Sequence, residues 1–273
     1  MYAISIPVTA RSARGNILRT TQCAFLCLLA MLLARPLKAQ ETALVTGHPG
    51  WAPYTWQHDA SLVGIGAELA EIVFKDIGIK AVVKPAGNWA RVQSEVANGN
   101  IDVIASAYMT DERKQLFVFP AVPYLEDTNV VWVMKGKEFP FKKWDDLIGK
   151  KGTALKGESY GAKFDQFIKD KASMQWVDRA SANFQNLKSG GADYYPFSVH
   201  GGKIQAQRAG LDGKVEHLDE VISKEGVYFA IGKKSRFVKF APQLEDAIKK
   251  RIADGTLTRL EKKYVALAAE EKE

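Results

Sequence analysis

The sequence predicts an α/β protein built as two compact lobes, and three observations carry that prediction. Short β-branched runs alternate with helical hydrophobic patterns along almost the whole chain after residue 40. Such alternation argues for mainly parallel sheets with helices on both faces. The pattern breaks at Gly136 and Pro140 and then begins again. Finally, the roughly 230 residues beyond position 39 exceed the commonest single-domain size, which leaves room for two units.

The first forty residues differ from the rest. Arg11, Arg14 and Arg19 precede an apolar run from Cys23 to Ala34, and Leu37, Lys38 and Ala39 then place a small residue before Gln40. That order is expected of a secretory signal peptide over residues 1–39, cleaved near Ala39. A membrane anchor is the alternative reading, but the run covers only about half of the ~20 apolar residues that span a bilayer. A lipoprotein site would need a Leu-small-small pattern before Cys23 or Cys27, and neither has one. The segment contains five basic residues and no acidic residue, so without it the formal charge falls from +7 to +2. The remaining chain therefore lacks the basic excess that a nucleic-acid partner requires. Both cysteines also lie in this segment, so no disulfide is expected in the fold.

The elements follow in order. Residues 42–46 and 80–84 read as strands, and between them Ile65, Leu69, Ile72, Val73 and Ile77 share one helical face that ends at Gly78. Trp89, Val92 and Val96 mark a second helix stopped by Gly99, and residues 101–105 form the next strand. The apolar run Val130 to Met134 is a buried strand. After the break, Phe164, Phe167 and Ile168 belong to one helix, Phe184 and Leu187 to another, and residues 193–195 to a short extended stretch. Residues 227–231 form a last strand before a helical tail in which Pro242 suits a first turn and Leu244, Ile248 and Ile252 line one face. Gly255 interrupts the tail ahead of Leu257, Leu260 and Tyr264, and residues 266–273 are expected to fray.

Several segments, in this order and spacing, carry a family resemblance. They are Trp51-Ala52-Pro53-Tyr54, Gly64-Ile65-Gly66, Trp89 through Gly99-Asn100-Ile101-Asp102, Met109-Thr110-Asp111-Glu112-Arg113 through Phe119-Pro120 to Pro123-Tyr124, Asp146 to Gly152, Gly157-Glu158-Ser159-Tyr160-Gly161, and Asp254-Gly255-Thr256 to Tyr264. Together they resemble extracellular solute-binding protein family 3, the polar amino-acid-binding clamps of ABC importers, over nearly all of residues 42–265. The resemblance implies a type II periplasmic-binding-protein fold, with two parallel-rich sheets flanked by helices and a hinge of two crossover strands. Lobe one would comprise residues 41–125 plus 225–265, and lobe two residues 126–224. It further implies a periplasmic monomer without a cofactor, which hands a carboxylate-bearing solute to an ABC transporter permease.

The resemblance also assigns candidate binding residues. Arg113 falls where the family grips a ligand carboxylate, and a planar guanidinium can make the two parallel bonds that this needs. Read locally, Thr110 simply caps a helix and Arg113 is a solvated first-turn residue. Trp51 and Trp89 fall where aromatic rings meet the ligand, though each could be core. Ser106 and Tyr108 would add bonds beside Arg113. Ser159 and Tyr160 belong to a loop whose N–H groups would meet an anion at a helix start, or else to an ordinary capping loop.

One departure stands out. Amino-acid binders carry a second acid after Asp193 to hold an α-ammonium, and here Ser198 occupies that place, with no Asp or Glu between Tyr194 and Leu211. Either Glu158 or another acid takes the role, or the solute lacks an ordinary α-ammonium. The Tyr194-Tyr195 pair points to a less ordinary solute, or to half-buried packing. Two rival functions remain: an enzyme on the same scaffold, as some cyclohexadienyl dehydratases resemble these binders, and a periplasmic sensor module. His48, His58, His200 and His217 have no metal-ligand spacing.

Overall fold

A computed structural model describes residues 1–3 and 40–270. The expected signal peptide and both cysteines fall outside the described residues, apart from Met1, Tyr2 and Ala3. Among the described residues no helix is long and apolar enough to cross a membrane.

The chain opens with β1 (Thr42–Thr46), a small antiparallel meander β2 (Gly50–Trp51), β3 (Thr55–His58) and β4 (Ser61–Val63), and then α1 (Ile65–Asp76). Next come β5 (Lys80–Val83), α2 (Trp89–Asn98), β6 (Val103–Tyr108), the short α3 (Asp111–Leu116), β7 (Phe117–Val118) and β8 (Leu125–Met134). β9 (Lys151–Leu155), α4 (Ala162–Lys171), β10 (Ser173–Val177), α5 (Ser181–Ser189), β11 (Tyr195–Ser198) and α6 (Val199–Arg208) follow. The chain returns through β12 (Val215–Gly232) to α7 (Ala241–Ala253) and α8 (Thr256–Glu270).

One mixed sheet of seven strands organises the molecule, in the order β11-β8-β12-β6-β1-β5, with β7 on β12. β5, β1 and β6 are parallel, whereas β12 runs antiparallel to both β6 and β8. The sheet is continuous because β8 and β12 are long, at 10 and 18 residues. The residues at one end of each strand serve the α1 side, and those at the other serve β11. β9 and β10 form a separate parallel pair that touches the main sheet's β11 edge through a Gly152–Tyr194 bridge. A Cβ on Gly152 would stand 2.6 Å from the Tyr194 ring, so glycine permits that approach.

Local chemistry explains the elements that carry the site. Asn88 caps α2 by accepting a bond from Arg91 N at 2.9 Å, and Gly99 ends it in the left-handed conformation. Trp89, Val92 and Val96 are buried there in a cluster that includes Leu155 of β9. In α1, Ile65, Leu69, Val73 and Phe74 face the core. Two tail expectations change. Ile252 is 43% exposed, because each i+4 step carries a residue ~40° past a full turn and Ile252 has rotated off the face of Leu244 and Ile248. The tail expected to fray from 266 is instead helical to Glu270, with Ala268 buried and thus anchoring the last turn.

α1 lies close against β6 at Gly66, where an added Cβ would meet Ser106 Oγ at 2.3 Å and the Ala105 carbonyl at 2.8 Å. Gly66→Ala is therefore expected to destabilise the fold by about 1–3 kcal/mol through overpacking, read as a lower urea midpoint at unchanged slope.

Candidate functional site

Most of the residues singled out by sequence gather where the ends of β1, β6 and β9 approach one another. Arg113 begins from α3, whose N-cap is Thr110: its Oγ1 accepts from Arg113 N at 3.1 Å. The capping reading thus holds for the backbone, yet the Arg113 side chain is buried rather than solvated. Its Nη1 donates to the Tyr108 carbonyl and its Nη2 to the Gly157 carbonyl, each at 3.1 Å. The guanidinium carbon lies 5.4 Å from the centre of the Trp89 ring. Among the described residues no carboxylate forms an ion pair with it. Burial lowers its pKa, and nearby Glu158 and then Asp165 oppose that shift.

The Gly157 carbonyl is the hub of this arrangement. Trp89 Nε1 donates to it at 2.8 Å and Gln93 Nε2 at 3.2 Å, in addition to Arg113. Two cavities flank the hub. One, of about 450 Å³, is bordered by His48, Trp89, Asp178 and Gln205; the other, of about 550 Å³, is bordered by Arg113, Glu158, Ser159 and Asp165. Both fall in the size range of small-molecule sites.

Trp51 is buried against Tyr54 and Tyr108, with ring centres 4.5 and 5.1 Å away, and lies 6.3 Å from His48. Glu158 reaches across to β1's end, where its Oε2 stands 3.2 Å from His48 Nε2. Ser159 and Tyr160 are engaged differently from expectation. Ser159 Oγ donates to Asp165 Oδ2, and Tyr160 N donates to Asp165 Oδ1 at 2.8 Å. The protein's own Asp165 carboxylate therefore occupies the Tyr160 N–H at the start of α4, where an anionic ligand was expected. Burial raises the pKa of Asp165 against these hydrogen bonds.

Two other expected residues lie apart from Arg113. Ser106 Oγ is 2.6 Å from Tyr124 Oη beneath α1. The cause is a register shift: β6 advances three residues from Ile104 to Ala107 while β12 advances two, and the extra residue disturbs the inward and outward alternation. Ser198 caps α6, accepting from Gly201 N at 2.9 Å, and its carbonyl receives Trp132 Nε1 at 3.3 Å. A short hydroxyl serves that cap, and its bond is spent there.

Sequence reasoning missed a buried network on the long strands. Tyr108 Oη donates to Asp127 Oδ2 at 2.6 Å and Tyr54 Oη to Asp127 Oδ1 at 2.9 Å. Asn129 Nδ2 donates to Ser223 Oγ at 3.1 Å, and Ser223 Oγ donates to the Tyr160 carbonyl at 2.7 Å. The network links β6, β8, β12 and the loop before α4. An acid inside an apolar-looking strand such as Leu125 to Met134 was the available signal. Burial raises the Asp127 pKa to about 6, against the tyrosine hydrogen bonds that pull it down.

Comparison with known proteins places this geometry. The family model for bacterial extracellular solute-binding proteins, family 3, matches residues 44–266, and the chain belongs to that family. A curated relative, the L-cystine-binding protein TcyJ of Escherichia coli (strain K12), is 25% identical over 242 residues, which is 85% of each chain. Among solved structures, the amino acid ABC transporter substrate-binding protein AbpA from Streptococcus pneumoniae, bound to L-arginine, superposes with a TM-score of 0.72 at 22% identity, covering 84% of this chain and 97% of its own. The ancestral amino-acid-binding protein AncCDT-1, a precursor of cyclohexadienyl dehydratase, superposes with a TM-score of 0.66 at 23% identity, covering 82% and 95%. The fold is that of type II periplasmic binding proteins, and the family's place is outside the cytoplasmic membrane.

The folded chain holds the Asp127 proton more tightly than an unfolded chain does, so this group favours folding increasingly as pH falls. Between pH 8 and pH 5 it should add on the order of 1 kcal/mol to stability. Urea unfolding of Asp127→Asn at both pH values should lack that increment relative to the unsubstituted protein.

Proposed function

We propose that this protein is the substrate-binding component of an ABC importer, exported by its N-terminal signal, which captures an amino-acid-like carboxylate by closing two lobes around it. The lobes are residues 41–125 with 225–265, and residues 126–224, hinged on β8 and β12. Arg113 grips the carboxylate, Trp89 and Trp51 wall the site, and Gly157 marks the contact between lobes.

The observation that carries this reading is Arg113 itself. A guanidinium held 7% exposed, with two donors on backbone carbonyls, is a buried charge on which Glu158 and Asp165 act without forming an ion pair. Such a charge costs several kcal/mol, which an anionic solute would offset. Closure then follows from differential contact, because a solute touching both lobes stabilises the closed arrangement over the open one. Binding rather than turnover is the reading that the family supports.

The test is calorimetric titration with amino acids and their carboxylate analogues, together with thermal unfolding. A solute at a hundred times its Kd adds about 2.7 kcal/mol to apparent stability. Arg113→Ala is expected to abolish that gain and Arg113→Lys to recover only part of it, while the unliganded Arg113→Ala protein unfolds no more easily than the parent. Binding indifferent to Arg113, or recovery of the solute as a converted product, would overturn the reading.

A further inference from the structure

Five buried polar atoms that lack a hydrogen bond gather around Glu158: its own Oε2, His48 Nε2, Tyr160 Oη, Tyr195 Oη and Gln205 Oε1. One contact and the electrostatic coupling of the two tyrosines to Glu158 relate these atoms. His48 Nε2 stands 3.2 Å from Glu158 Oε2, without the direction of a hydrogen bond. The Glu158 charge acts on both tyrosine hydroxyls, and Tyr195 also neighbours Asn183 and Gln205 without a well-directed bond to either. The Gln205 amide nitrogen is anchored on the Gly50 carbonyl at 2.8 Å, and Gly50 N donates to His48 Nδ1 at 3.0 Å. Both ends of the group are thereby held in place. Tyr160 and Tyr195 are 1% and 0% exposed.

Folds rarely leave so many polar atoms unmet in one place, since each costs about 1–3 kcal/mol. The group is rich in acceptors, with a carboxylate oxygen, an amide oxygen and two hydroxyls. The fixed charges nearby point the same way: against Arg113 stand Glu158 and Asp165. Asp165 is already satisfied by Ser159 and Tyr160 N. Glu158 is not. Ser198, at the position expected to hold a donor from the solute, brings a neutral hydroxyl that already accepts the α6 cap bond.

We infer that Glu158, with Tyr160, Tyr195 and Gln205, forms a receptor for a cationic N–H donor group of the solute, so that the pocket takes a zwitterion between Arg113 and Glu158. The inference rests on the cleft being a solute site, and it moves the cation-binding role from the strand end at Ser198 to the loop after β9. An ammonium, amidinium or guanidinium supplies the several divergent N–H bonds that the four acceptors would receive. His48 then holds Glu158 from the opposite side as a positioning residue.

Titration calorimetry on the purified protein would compare three probe sets: L-glutamine and L-cystine; their deamino counterparts, which keep the carboxylates and lose every cation; and the amines agmatine and cystamine, which keep only cations. The deamino counterpart of the best probe is expected to bind on the order of 10- to 100-fold more weakly. Glu158→Gln should weaken the parent probe by a similar factor and leave the deamino counterpart unchanged. Tyr195→Phe separates ligand from structural roles. It should weaken the parent probe several-fold while the unliganded protein unfolds at nearly the same temperature, because the hydroxyl it removes stands beside Asn183 and Gln205 without a well-directed bond to either.

Equal binding of parent and deamino probes, or of parent probe to Glu158→Gln and unsubstituted protein, would overturn the inference and leave the carboxylate clamp standing. Amines that bind through Glu158 while no carboxylate binds would sustain the inference and overturn the clamp. Failure of every amine-bearing probe to bind would overturn the inference as well.

Discussion

The carbonyl of Gly157 receives Trp89, Gln93 and Arg113 at once, and the arrangement of the site depends on that convergence. The donors come from α2 and α3, on the side of the sheet built by β1, β5 and β6; the acceptor comes from the loop that leaves β9. Gly157 adopts a left-handed backbone, with φ of 78°, and a Cβ there would lie 2.7 Å from Gln93 Nε2. Only glycine gives the loop both the turn and the close approach. Once the loop is seated, Glu158 is delivered to His48, and Ser159 and Tyr160 to Asp165.

Electrostatics then distinguishes support from function. Asp165 is half-buried and Asp127 buried, but each has its oxygens met, the first by Ser159 and Tyr160 N, the second by two tyrosines and Thr128 N. They hold loops and long strands in place. Arg113, which is buried, and Glu158, which is partly exposed with one buried oxygen, are the opposite case, since neither has a full set of well-directed partners among the described residues. Because an unmet buried charge is costly, the pair reads as one site with two poles of opposite sign.

The network from Asp127 through Tyr108, Asn129 and Ser223 to the Tyr160 carbonyl gives that site a mechanical neighbour. It runs across β8 and β12, the two strands of the proposed hinge, and ends on the loop bearing Glu158. A change in the angle between the strand ends would be felt at this loop without passing through solvent.

The order of helices and strands was legible in sequence because period and punctuation are local: Asn88 and Gly99 bracket α2, and Gly64 and Gly78 bracket α1. The motif around Arg113 and the loop at Gly157 were legible for the same reason, as short segments in a recognisable order. The family resemblance named neither Asp127 nor Tyr195, and it did not reveal that the Ser106 hydroxyl meets Tyr124, next to a register shift between β6 and β12. The sequence by itself determined the family, the alternating α/β plan and the missing acid at Ser198. Which carboxylates are satisfied and which are left open, and that Glu158 meets His48 from 110 residues away, was decided only by tertiary structure, because hydrogen-bond partnership depends on distances that no local spacing encodes.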